Sequence, residues 1–129
     1  MGRDVDRYEV LKVLNEMKLS FLKGCEGTVF AREEYKLRIE FSKQYPAKAP
    51  SVYFLKPSPM HAHVYSNGDI CLNILGKDWR PTMTAQTIVV SILSMLSSAK
   101  VKARPPDNAA HADYEPGKTT EYLYHDEKC

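Results

Sequence analysis

Residues 61–72 read His-Ala-His-Val-Tyr-Ser-Asn-Gly-Asp-Ile-Cys-Leu, and Trp79 and Pro81 follow at a short fixed distance. The stretch places Cys71 shortly after an Asn-Gly pair and downstream of two histidines. Asn-Gly favours a tight reversal because both residues tolerate positive φ. The sequence therefore predicts a turn at Asn67 and Gly68. This turn would fix the position of the residues that follow it, with the Cys71 thiol available as a nucleophile.

This stretch resembles the active-site signature of ubiquitin-conjugating enzymes. The signature runs H-x-x-[IV]-Y-x-x-G-x-I-C-L, followed by I-L-x-x-x-W-x-P. The likeness is greatest to W-type members, which share a second histidine at His63, the run R-P-P-D-N at 104–108 and an ending Y-H-D-x-x-C at 124–129. The resemblance covers about residues 17–108 and implies an α+β ubiquitin-conjugating (UBC) fold.

Composition sets the class of protein. A chain of 129 residues with 43% hydrophobic and 26% charged residues is typical of one soluble globular domain. A net charge of +2 with no basic run predicts no nucleic-acid partner, and no long apolar span predicts no membrane partner. Three widely spaced cysteines do not make a disulfide framework, so we expect a reduced protein of the cytoplasm, with the nucleus left open.

Hydrophobic periodicity predicts strands first and a helix after them. Apolar and polar residues alternate at 17–21 and most clearly at 35–41, and a third apolar run lies at 52–55. From 84 to 96 the apolar residues follow a helical period, with Thr84 as the N-cap. We expect three or four antiparallel strands in meander order, packed against that central helix.

The termini depart from the usual family pattern. Only 16 residues precede Met17, so the N-terminal helix expected at 5–16 would be short or merged with its connection to the first strand. Most members end in two further helices, but here 21 polar-rich residues follow Asn108. We expect one UBC core domain over 1–129, with 109–129 as an irregular tail.

The resemblance assigns catalytic roles to Cys71, His63 and Asn108. Cys71 would carry ubiquitin as a thioester, whereas Cys25 and Cys129 lack a comparable setting. His63 stands where most relatives have an Asn that stabilises the oxyanion, and an imidazole N–H could donate there as an amide does. The alternative is that His63 only hydrogen-bonds its own loop, which is also the role expected of His61.

Asn108 follows the long helix, where family members carry an acidic or amide residue that positions the attacking amine. The alternative is that Asp107 and Asn108 form a solvated turn. A zinc site built from His61, His63 and Cys71, with His111 or His125, is the rival chemistry. Structural zinc sites show close ligand pairs at two places, and this chain has one such pair. We therefore expect no metal and no cofactor, since ATP is used by the upstream activating enzyme.

The implied function is transfer of ubiquitin from the activating enzyme, through Cys71, to substrate amines, favouring N-terminal α-amino groups. The expected partners are ubiquitin, the activating enzyme, protein substrates and a RING-type ligase. The ligase would bind residues 45–50 and 79–82, although Ala47 replaces the Phe of many relatives. The alternative is a catalytically weak UBC-fold module that binds ubiquitin or another conjugating enzyme, against which the intact Ile-Cys-Leu argues. A cysteine hydrolase would need a His and Asn pairing downstream that we do not find.

Overall fold

The computed structural model describes residues 17–117. The first part of this range forms a three-stranded sheet, in whose strands apolar and polar side chains alternate. Its strands are β1 (Met17–Lys23), β2 (Glu34–Glu40) and β3 (Ser51–Phe54). They lie in the order β1-β2-β3, and both neighbouring pairs are antiparallel. The predicted meander is confirmed, with three strands.

The register places one face of the sheet in the core. Leu37 pairs with Phe54 and Ile39 pairs with Val52, and all four side chains are buried. Polar and charged residues lie between them along β2, as the period of two requires. On the first strand, Leu19 and Phe21 remain exposed.

The central helix is α1 (Ala85–Ser97). The hydroxyl of Thr84 accepts a hydrogen bond from the Thr87 N–H, and the Thr87 hydroxyl accepts one from the Thr84 N–H, so a reciprocal capping box starts the helix. Ile88, Ile92 and Leu96 recur every four residues and are buried in the same cluster as the inner face of the sheet. The predicted helix and its N-cap are confirmed, and the fold is α+β.

The segments outside the sheet and α1 complete the described chain. Between β3 and α1 lie the cysteine loop (residues 61–72) and a 3₁₀ turn, Asn73–Leu75. A four-residue helix, α2 (Asn108–His111), takes up the start of the tail predicted to be irregular. The predicted helix at 5–16 and residues 118–129 lie outside the described residues. Within 17–117, no helix has both the length and the apolar character needed to cross a membrane.

Candidate active site

The cysteine loop is shaped by the turn Tyr65–Gly68. The Gly68 N–H donates to the Tyr65 carbonyl at 2.9 Å, and the Tyr65 N–H donates to the Asp69 carbonyl at 2.9 Å. Gly68 has φ +108°, and a Cβ there would lie 2.0 Å from the Phe54 carbonyl oxygen. Only glycine fits this close approach to β3 without strain. The predicted Asn-Gly turn is therefore present, with the positive φ at Gly68.

Cys71 lies at the end of this turn in a groove with a volume of about 550 Å³. The Cys71 N–H donates to the His63 carbonyl at 2.8 Å, which fixes the backbone that carries the sulfur. The groove runs between the cysteine loop and the end of α1, and its walls include Met95, Lys100 and Val101. The residue is largely buried, at 7% exposed, yet its side chain contributes to the groove wall.

The sulfur of Cys71 is disulfide-bonded in the structure, whereas Cys25 is free. This differs from the expectation that the cysteines play no part in disulfides. A disulfide sulfur cannot act as a thiolate nucleophile, so the chemistry considered below belongs to the reduced protein.

His61 braces the loop, as expected. Its Nε2 lies 3.0 Å from the Met95 carbonyl of α1, and its Nδ1 accepts a hydrogen bond of 2.9 Å from the His63 N–H. A carbonyl can only accept, so Nε2 carries the hydrogen and the ring is the neutral Nε2–H tautomer. Burial lowers the pKa of His61, which favours the same neutral form, although the Met95 carbonyl opposes that effect.

His63 lies in the same groove as Cys71. Its ring is half-buried, and the ring centroid lies 5.6 Å from that of His61. Its backbone makes hydrogen bonds on both sides, to the His61 ring and to Cys71. The structure therefore brings the predicted oxyanion donor and the predicted nucleophile together.

Asn108 is placed differently. It begins α2, and its Oδ1 accepts a hydrogen bond of 2.8 Å from the Ser66 N–H. Next to it, the Asp107 carboxylate accepts from the Tyr65 hydroxyl, at 2.9 and 3.1 Å to its two oxygens. The described residues that line the groove do not include Asn108. Both side chains brace the cysteine loop, and the role of Asn108 in orienting the amine stays a prediction.

Sequence reasoning missed two further braces. The Arg104 guanidinium donates to the Ser58 hydroxyl and to three backbone carbonyls, those of Ser58, Pro59 and Val64, at 2.9–3.3 Å. Buried Asp69 accepts hydrogen bonds from residues far along the chain. An Arg after a Lys-Ala pair and an acid before an apolar pair are weak signals, because neither spacing reveals the distant partner.

Within residues 17–117, no group of three or more His, Cys, Asp and Glu side chains is arranged to hold a metal ion. The imidazole nitrogens of His61 are both committed to backbone groups, so this histidine does not offer a lone pair to zinc. His111 lies against Asp69 rather than beside the His61 and His63 pair. Of the histidines considered for zinc, His125 falls outside the described residues.

Comparisons with known proteins agree with this architecture. Residues 5–126 match the family model described as ubiquitin-conjugating enzyme. The chain belongs to the ubiquitin-conjugating enzyme family. Ubiquitin-conjugating enzyme 15 of Arabidopsis thaliana is 46% identical over 109 residues, which are 81% of this chain and 68% of that protein. Ubiquitin-conjugating enzyme E2 W of Caenorhabditis elegans is 41% identical over 130 residues, covering 98% of this chain and 84% of the relative.

Among solved structures, ubiquitin-conjugating enzyme E2 UbcA1 from Agrocybe aegerita superposes with a TM-score of 0.74 at 29% identity. The match covers 90% of this chain and 96% of that one. This chain is thus a W-type-like conjugating enzyme with a UBC fold, as the cysteine signature indicated. Enzymes of this family are acyltransferases that carry ubiquitin as a cysteine thioester and interact with activating enzymes and ligases.

Proposed function

We propose that Cys71 is the residue that accepts ubiquitin from the activating enzyme and passes it to an amine. The observation that carries the proposal is the 2.8 Å hydrogen bond from the Cys71 N–H to the His63 carbonyl, which holds the cysteine in the groove beside the His63 ring. The turn at Gly68, which lies close against the Phe54 carbonyl of β3, also fixes the backbone that leads to Cys71. Cys25, by contrast, is exposed and lies near Ser97 at the end of α1.

Two acyl transfers make up the proposed reaction. The Cys71 thiolate attacks the carbonyl carbon of the activating enzyme's thioester; a new C–S bond forms and the donor thiolate leaves. A neutral amine then attacks the Cys71 thioester and gives a tetrahedral oxyanion. That intermediate collapses to an amide, the Cys71 thiolate leaves and the amine proton passes to solvent. His63, half-buried in the groove, would donate to the oxyanion through a ring N–H.

The finer part of the proposal is a preference for α-amino groups at protein N-termini. Similarity to the C. elegans E2 W supports it. So does the charge of the groove, because the described residues that line it include the cation Lys100 and no Asp or Glu. With no carboxylate on that wall to take a proton from lysine, amines that arrive neutral are favoured. At pH 7.4 roughly 20–30% of α-amines are neutral, against about 0.1% of lysines.

A RING-type ligase is the proposed partner for the surface formed by residues 45–50 and 79–82. The Trp79 indole N–H donates to the Pro46 carbonyl at 2.8 Å, so the two segments form one surface. The rings of Tyr45 and Trp79 lie 6.1 Å apart. Ala47 at the centre is exposed and small, so we expect weaker ligase binding than an aromatic anchor would give.

The test of the proposal is a charging assay with ubiquitin, activating enzyme and ATP. The enzyme is first reduced, to free Cys71, and the reductant is then removed before charging. Wild type and Cys25→Ser should form an adduct that thiol reverses, and Cys71→Ala should form none. A thiol-sensitive adduct on Cys71→Ala would overturn the assignment. Failure of all three to charge would instead support the alternative, a module that binds ubiquitin without carrying it.

A further inference from the structure

Asp69 is a buried carboxylate in the cysteine loop, two residues before Cys71. Asp69 is 2% exposed. Its Oδ1 accepts from the Gly117 N–H at 2.7 Å, and its Oδ2 lies 2.8 Å from His111 Nε2 and accepts from Asn67 Nδ2 at 3.2 Å. Burial of a carboxylate costs several kcal/mol unless hydrogen bonds compensate, so an acid in such a place is held by these donors.

His111 faces Asp69 from the last position of α2 and is 1% exposed. Its ring centroid lies 4.1 Å from that of Tyr65 and 5.1 Å from that of Tyr114. Asn67 Nδ2 also donates to the Tyr114 carbonyl at 2.8 Å. Residues 111–117 are therefore fastened to the cysteine loop by contacts that span more than 40 positions of sequence.

These contacts tie both ends of α2 to the loop. At its start, Asn108 Oδ1 accepts from the Ser66 N–H, and at its end His111 meets Asp69. The two ties lie on either side of Asn67 and Gly68, the centre of the turn that leads to Cys71. Displacement of α2 at the Asp69 end would therefore tilt residues 107 and 108 relative to Cys71.

We propose that Asp69 is a positioning residue for the second acyl transfer. Through His111 it holds α2 against the cysteine loop, so that the side of the loop met by an incoming amine keeps a fixed geometry. The inference rests on the proposed function, since it concerns the fate of a Cys71 thioester. Loading depends mainly on the Cys71 thiolate itself, whereas attack by an external amine also depends on how groups around the thioester are oriented.

The experiment compares loading with discharge in four variants. Asp69→Asn keeps the side-chain volume but turns one carboxylate oxygen into an NH₂ that faces donors. His111→Phe keeps a ring beside Tyr65 and removes the N–H, whereas His111→Gln restores an N–H donor near the Nε2 position. Asp113→Asn is the control, on the same segment but outside the hydrogen bonds to Asp69. Each variant is charged, and single-turnover discharge to a saturating lysine-free peptide is timed.

Asp69→Asn and His111→Phe should slow discharge by roughly tenfold to a hundredfold, the effect expected of a small misplacement of reacting groups. Loading should stay within about twofold, and His111→Gln and Asp113→Asn should discharge within about threefold of wild type. The inference is overturned if Asp69→Asn and His111→Phe both discharge at the wild-type rate, or if loading and discharge fall by the same factor in them.

Thermal unfolding of each variant sets an assay temperature at which it is folded. Should Asp69→Asn fail to fold, the His111→Phe and His111→Gln pair decides, because both leave the carboxylate in place. In the amide NMR spectrum, the Ser66 and Gly117 signals should move in His111→Phe and return towards wild type in His111→Gln. A wild-type enzyme that never charges refutes the proposed function, and charged variants that discharge like wild type refute the role of Asp69.

Discussion

The two sides of the cysteine loop differ in how they are held. On one side Cys71 and His63 line a groove of about 550 Å³. On the other, Ser66, Asn67 and Asp69 bond to residues 108–117 in a largely buried polar network. The side-chain hydrogen bonds to residues 108–117 thus come from loop residues that do not line the groove.

The largest effect is expected at the sulfur itself. Cys71→Ser should form, slowly, an oxyester that survives thiol treatment, because an alkoxide is a far poorer leaving group than a thiolate. Its discharge to peptide amines should be lower than that of wild type by several orders of magnitude. Gel analysis with and without reductant checks this. An adduct on Cys71→Ser that thiol removes would place the acyl group elsewhere.

Gly68 tests how strongly the backbone of the turn before Cys71 depends on its close approach to β3. Gly68→Ala puts a Cβ 2.0 Å from the Phe54 carbonyl oxygen at φ +108°, whereas Gly27→Ala, at φ +82°, meets nothing within 4 Å. We expect Gly68→Ala to lower the free energy of unfolding by about 3 kcal/mol or more, and Gly27→Ala by about 1 kcal/mol. Urea denaturation measures both, and equal losses would show that the approach to β3 is not tight.

His63 tests the groove side without disturbing the support. If its ring donates to the oxyanion, His63→Ala should slow discharge by roughly 10²-fold, and His63→Asn should recover much of the rate. Loading should suffer less if the activating enzyme contributes groups of its own. Single-turnover discharge rates decide between this role and a loop brace, which would leave discharge in the Ala variant unchanged.

Lys100 tests whether the charge of the groove affects which amine is preferred. Lys100→Glu places a carboxylate on the groove wall, so discharge to free lysine relative to an α-amine peptide should rise by about threefold to tenfold at low salt and less at high salt. Lys36→Glu, at an exposed position of strand β2, is the matched control. A ratio that does not move would remove the groove charge as a source of amine preference.

The smallest effect is a dependence of stability on pH. Because burial lowers the pKa of His61 in the folded protein, the unfolded chain binds a proton first as pH falls. Stability from this group is therefore fully present above about pH 6.5 and is lost progressively as the pH falls from that value through the lower pKa of the folded protein. His61→Gln should show a shallower loss of thermal stability between pH 7.5 and 5.5 than wild type. Parallel curves would contradict the prediction.

Local patterns predicted the scaffold well. The alternation at 35–41 gave a strand at Glu34–Glu40, and the helical period after Thr84 gave α1 with its cap. These features depend on neighbours a few residues apart, which is where sequence periodicity carries information. The turn before Cys71 was predictable for the same reason, because Gly68 is needed locally.

The supporting network was not predictable from one sequence. Asp69 and His111 lie 42 positions apart, and nothing in their own neighbourhoods indicates that they meet. The role of Asn108 in orienting the amine stays a prediction, and nothing in the sequence indicated that its side-chain Oδ1 accepts a hydrogen bond from the Ser66 N–H. Contacts of this range depend on how α1 and the loop after it return the chain to the cysteine loop, which periodicity does not encode.

The hydrogen bonds of Arg104 also affect what happens after the backbone is cleaved by a protease. By bonding to Ser58, Pro59 and Val64, Arg104 closes a span of 40 to 46 positions that contains all of α1. A protease that nicks this span at the exposed stretch near Val101 would cut the backbone without releasing either piece. In the reduced protein, the two fragments should comigrate on a sizing column under native conditions and separate only in denaturant, with the Arg104 hydrogen bonds among the contacts that hold them together.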